Sequence, residues 1–111
     1  MKKEDRALFE SMNVVDICKR CGDERRTKFQ RLLEKRKVTA QSFVGSCVKL
    51  AFRDEQKVEH MWVRVQRMES PDRMYGILDN EPVLVENVGC GDQSEFALEE
   101  LEGCCPAIGE L

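Results

Sequence analysis

The spacing of apolar residues changes at Phe43, and that change constrains the fold more than any other feature of the chain. Upstream, Leu8, Met12 and Val15 recur at helical intervals, with Ile17 and Cys18 extending the same side, and Phe29, Leu32 and Leu33 make a second, narrower stripe. Downstream the period is two. Val48, Leu50 and Phe52 alternate with Lys49, Ala51 and Arg53, and Met61, Val63 and Val65 alternate with His60, Trp62, Arg64 and Gln66. The first spacing puts apolar groups along one side of a helix, the second along one face of a strand. Met61, Val63, Val65, Leu50 and Phe52 are therefore expected to form the sheet side of the core.

Turn residues divide the rest. Gly22 stands where a C-cap glycine belongs, and Asp23, or Thr27 with Gln30, would open a second helix ending near Lys37. Pro71 marks a turn, residues 74–78 read as a third strand, and the turn at residues 79–82 leads into a fourth at 83–85. After the turn at residues 89–92, residues 94–98 read as a fifth. The pattern predicts an α+β fold: two N-terminal helices packed on a five-stranded antiparallel curled sheet or small barrel. At 111 residues the chain is expected to be a single domain, with a helical part over 1–38, a β-meander over 39–102 and a C-terminal tail over 103–111.

Charge is sorted along the chain. Residues 19–37 hold nine basic and three acidic groups, net +6, whereas residues 79–111 hold nine acidic groups and no basic one. The simplest arrangement sets the basic helix against the acidic segment, which would cancel the field that draws in a polyanion. Nucleic acid is accordingly not expected as a partner. No apolar run reaches the roughly 18 residues of a membrane span, and no signal-like apolar stretch follows the first residues. A soluble, cytoplasmic protein without membrane contact is expected.

Six cysteines (Cys18, Cys21, Cys47, Cys90, Cys104 and Cys105) are too few for a disulfide scaffold, and reduced thiols are expected. Cys18 and Cys21 have the spacing of half a zinc site, but a structural zinc takes four ligands and no second pair stands at usable spacing. No metal and no cofactor is expected. Cys104 and Cys105 read as part of an exposed tail, and Glu99, Glu100 and Glu102 as a solvated acidic face.

Four spaced elements together resemble one family. They are Val58-Glu59-His60-Met61-Trp62-Val63 after the strand at 48–52, Tyr75-Gly76-Ile77-Leu78-Asp79-Asn80-Glu81-Pro82-Val83, and Gly91-Asp92 with Phe96. In this order they are similar to the YegJ-like bacterial family, domain of unknown function 2314, over roughly residues 40–102. Residues 24–38 are similar to the helix that often precedes the motif. Where members of the family commonly close on Asp-Trp, this chain has Glu102-Gly103-Cys104-Cys105. The resemblance implies no activity, cofactor or catalytic residue.

His60 is the only histidine, and alternation puts it on one face with Trp62 and Arg64. No nucleophile pairs with it by spacing, and the phosphate-loop, zinc-protease and nucleophile-elbow motifs are all missing. The expectation is a non-catalytic binding module that takes a protein or small ligand through His60, Trp62, Arg64, Asn80 and Pro82. The alternative is a nucleic-acid-binding small barrel using the basic helix over 19–37, and an enzyme built on His60 ranks third.

Overall fold

Alternation predicts a sheet with one wet and one dry face; the dry face forms as expected, while the other also buries Ala51 and Tyr75 among its exposed residues. The computed structural model describes residues 16–17 and 24–106. Along them run β1 (Asp16–Ile17), α1 (Glu24–Arg36), a 3₁₀ turn (Ala40–Phe43), β2 (Cys47–Asp54), β3 (Lys57–Ser70), β4 (Arg73–Leu78), β5 (Gln93–Ala97), a second 3₁₀ turn (Leu98–Glu100) and β6 (Gly103–Cys105). The sheet is antiparallel throughout, in the order β1-β2-β3-β4-β5, and β6 pairs with β2 on the edge that β1 also uses.

The dry face is built from the expected residues. Val48, Leu50, Phe52, Met61, Val63 and Val65 are all buried, joined by Met74, Leu78 and Phe96 from the next strands and by Phe29 and Leu33 of α1. Each such side chain contributes about 1.5–3 kcal/mol when fully buried. Phe29 meets Phe43 of the first 3₁₀ turn with ring centroids 6.4 Å apart. Polar bonds then fasten α1 to the segment after β5. The Gln30 amide donates to the carbonyls of Leu98 (2.8 Å) and Leu101 (2.7 Å), and the Arg26 guanidinium to that of Glu99 (2.6 Å). The basic helix thus lies beside the acidic segment, and these three bonds run to backbone oxygens. Gly76 is required where β4 crosses β3, because a Cβ there would stand 2.5 Å from Val63 Cγ1 and 2.7 Å from the Arg64 carbonyl oxygen.

Four expectations need correction. The fold has one helix among the described residues. The other was expected upstream of Gly22, on residues that lie mostly outside those described, and where the chain is described, at Asp16–Ile17, it is extended and paired with β2. Among the described residues the sheet is open rather than a barrel, since β5 pairs only with β4. Residues 83–85 are no strand, because their N–H groups bond a side chain instead of a neighbouring backbone. Gly103–Cys105, at the start of the segment read as a tail, adds a strand to β2.

Candidate functional site

On the wet face the register brings side chains from β2 and β3 into cross-strand rows. Lys49 stands opposite Trp62, Ala51 opposite His60, and Cys47 opposite Arg64. Opposed residues of antiparallel strands point to the same side, so these make one contiguous patch. Trp62 is half-buried, and the Lys49 ammonium lies 5.8 Å from its ring centroid, within cation–π range. Arg64 Nη2 is 3.6 Å from Asp79 Oδ2, and both groups are more than half exposed, so the pair holds orientation more than stability. Further along, Arg67 stacks on Tyr75 at 4.8 Å.

His60 and Glu102 make the most constrained contact on this face. Nδ1 of the imidazole and Oε1 of the carboxylate are 2.6 Å apart. The histidine side chain is 31% exposed, whereas that of Glu102 is only 2% exposed. The other oxygen, Oε2, is buried without a hydrogen-bond partner. A carboxylate so far from water needs a charged or hydrogen-bonding neighbour, and it fixes the orientation of the ring it holds. Its sequence neighbours place Glu102 on a solvated acidic face, and the structure buries it. It is buried because the chain turns inward at Leu101, which is fully enclosed in the core, and then joins β2 through its own N–H to the Lys49 carbonyl at 2.8 Å. Glu100 is buried as well and accepts the Ala97 N–H at 3.2 Å.

Asn80 supports the face from its rim. Asp79 N–H donates to the Trp62 carbonyl at 2.9 Å, as a further rung of the β3–β4 ladder would. The returning bond comes from a side chain: Asn80 Oδ1 accepts the Trp62 N–H. This holds the backbone of Trp62 where β4 has ended. Pro82 lies two residues further on, half-buried, where the chain crosses to the core side.

Glu59 pins that crossing. Its carboxylate accepts the N–H groups of Val83 (2.9 Å), Leu84 (2.7 Å) and Val85 (3.2 Å), while Asp54 accepts that of Glu86 at 2.8 Å. Burial acts to raise the Glu59 pKa, but the Leu84, Val83 and Val85 donors outweigh it and leave it below the ordinary value. Val85 and Val88 reach the core, while Val83 and Leu84 are exposed.

His60, Trp62 and Arg64 are therefore side by side, Asn80 serves the backbone beneath them, and Pro82 belongs to the pinned crossing. Lys49, Glu59 and Glu102 were not singled out from sequence. The adjacency of Glu59 and His60 was visible, but alternation sends the two to opposite faces. One concave surface lies beside α1. A groove of about 460 Å³ runs between α1 and the β4–β5 end, lined by Gln30, Lys37, Arg73, Leu98 and Glu99 among others. Among the described residues no group of three or more His, Cys, Asp or Glu side chains could hold a metal ion, and no helix is long and apolar enough to cross a membrane. Cys18 and Cys21 lie outside the described residues.

What the wet face offers is an indole surface, an imidazole held by a buried carboxylate, and the cations Lys49 and Arg64. These can stack against an apolar or planar group and bond an anionic one. Among known proteins, one family model, described as an uncharacterized protein conserved in bacteria (DUF2314), matches residues 21–104. Neither the curated proteins nor the solved structures contain a match for the chain.

Proposed function

The chain belongs to the DUF2314 family of bacterial proteins, and from that premise we propose that it is a non-catalytic binding module working through the wet face of its sheet. Its ligand is a protein segment or small molecule with an anionic group beside an apolar one. The observation that carries this reading is Trp62 itself: a large aromatic held half-buried on a sheet face, its backbone tied by Asn80, its ring beside Lys49, and His60 and Arg64 flanking it. Trp and Arg are enriched among the residues that carry most of the binding energy at recognition surfaces.

Trp62 is the only tryptophan, so its emission reports on the face directly. A panel of acidic peptides and small carboxylates, titrated into the full chain, should yield members that shift Trp62 emission and lose affinity at least about tenfold on Lys49→Ala. That loss corresponds to the roughly 1.4 kcal/mol of a desolvated cation contact. Binders that leave Trp62 emission unchanged and tolerate Lys49→Ala would overturn the assignment.

Nucleic acid on α1 is the second reading, drawn from the exposure of Lys28, Arg31, Lys35, Arg36 and Lys37. The acidic segment held against the same helix by Gln30 and Arg26 argues against it. Micromolar, salt-sensitive binding of mixed RNA or DNA would reverse the order of the two readings.

A further inference from the structure

We propose that Cys47 and Cys105 are a redox pair that closes into a reversible disulfide, locking β6 onto β2, when the protein meets hydrogen peroxide. This stands apart from the binding reading and rests on the pairing of β6 with β2.

Cys47 and Cys105 are direct register partners across the two strands. Opposed residues share a face, and Cys47 is also opposite Arg64, so both thiols belong to the wet side. The Glu102 N–H donates to the Lys49 carbonyl, so the backbone of Lys49 is turned toward the β6 edge. Two residues back along β2, Cys47 is turned the same way. Its pair with Cys105 is then of the hydrogen-bonded kind, with Cα atoms about 5.5 Å apart, inside the span of about 4.4–6.8 Å that disulfides occupy. The Cβ atoms of such a pair start roughly 1 Å too far apart, so closing the bond draws the strands together and stores strain. Strain makes a disulfide easier to reduce, which suits a bond that forms and reopens. β6, three residues at a sheet edge, is the element able to make the movement.

Cys104 is the obvious competitor by sequence and the wrong one by geometry. Neighbours in a strand point to opposite faces, so Cys104 points to the core side, where it packs against the buried cluster. Burial, with a smaller contribution from Cys105, pushes its thiol up to about 11, so it stays protonated and a poor nucleophile. A Cys104–Cys105 bridge would have to pull β6 off β2.

Cys105 is exposed and Cys47 half-buried, so Cys105 meets the oxidant first. Its thiolate attacks one peroxide oxygen, the O–O bond breaks, and Cys105 becomes a sulfenic acid while hydroxide leaves. The Cys47 thiolate then attacks the Cys105 sulfur, the S–O bond breaks, and a second hydroxide leaves. Both hydroxides take up the protons released by the thiols. In sum, two thiols and one hydrogen peroxide give one disulfide and two waters.

The test uses the full reduced chain, treated with hydrogen peroxide, its remaining thiols alkylated and its peptides mapped by mass spectrometry. The expected product links the Cys47 and Cys105 peptides, lacks two hydrogens, and reverts with dithiothreitol. Cys104→Ser should leave the link intact, and Cys47→Ser should stop Cys105 at the sulfenic acid. A Cys104–Cys105 bridge, a bridge from Cys105 to any cysteine but Cys47, or a Cys47 that stays fully alkylatable would overturn the proposal. The unsubstituted chain alone decides these outcomes, so none depends on a variant folding.

Discussion

The β2–β3 hairpin and the crossing between β4 and β5 both carry apolar, β-branched residues, and they satisfy their backbone donors in opposite ways. In the hairpin, main chain meets main chain over eight register pairs, from Cys47 with Arg64 to Asp54 with Lys57. In the crossing, Val83, Leu84 and Val85 give their N–H groups to one side chain, Glu59, and Glu86 gives its own to Asp54. Either solution meets the requirement that backbone polar groups be paired. They differ in what it takes to undo them. A ladder fails only when two strands part, whereas a carboxylate clasp fails with one substitution or one proton.

The largest effect is expected where the hairpin meets the core. Val63 is fully buried at its centre, and Val63→Asp places a charge there without a partner. That should cost more than about 4 kcal/mol, most of the stability of a small domain, and abolish cooperative melting. A soluble variant with a sharp thermal transition would show that the faces of β3 have been assigned the wrong way round. A smaller loss follows from Gly76→Ala, whose new methyl would collide with Val63 and with the Arg64 carbonyl, the latter a backbone atom that cannot rotate aside. Overpacking of this kind costs about 1–3 kcal/mol, and the midpoint of urea unfolding should fall accordingly.

The smallest effect sharpens the contrast most. Glu59→Gln keeps the shape of the clasp and removes its charge, which should cost about 1 kcal/mol or less. Amide exchange should speed at Val83, Leu84 and Val85 while the hairpin amides keep their protection. Because the folded pKa of Glu59 lies below its unfolded value of about 4.5, its contribution is fully present above that pH and is lost as pH falls through the folded value. The three amides should therefore lose protection on acidification below about pH 4.5 in the unsubstituted chain and show no such step in Glu59→Gln. Equal loss of protection in the hairpin would mean that the two regions open together.

What could be read from the sequence follows the same division. The second helix and the strands at β2, β3, β4 and β5 were legible because their partners are main chain and their faces follow a regular period. Residues 83–85 have the composition of a strand, but their acceptor is a glutamate 24 to 26 positions earlier, which no local pattern announces. Ile17 fits a helical spacing and an extended one equally well, and pairing with Phe52 decides it. In the candidate site, alternation was enough to put His60, Trp62 and Arg64 together. It was silent on Glu102, which is 42 positions from His60 and looks like surface among its acidic neighbours until Leu101 is seen to enter the core. Asn80 was found by resemblance and read as a ligand contact, whereas its carbonyl completes the hydrogen bonding of Trp62.

The outer edge of β2 is closed by two short pieces from opposite parts of the chain. β1 covers Phe52 and Arg53, and β6 covers Cys47, Val48 and Lys49. Both run antiparallel to β2, so they follow one another in a single line, like two lengths of one strand whose middle has been spliced from elsewhere. During synthesis, then, β2 can meet β3 as soon as both have left the ribosome, but residues 47–49 keep an unpaired edge until residue 105 has been made. For the whole of that interval the nascent protein carries an open row of hydrogen-bonding groups, the kind of template on which a second unfinished chain can settle. The pairing of β6, only three residues long, is what ends that exposure.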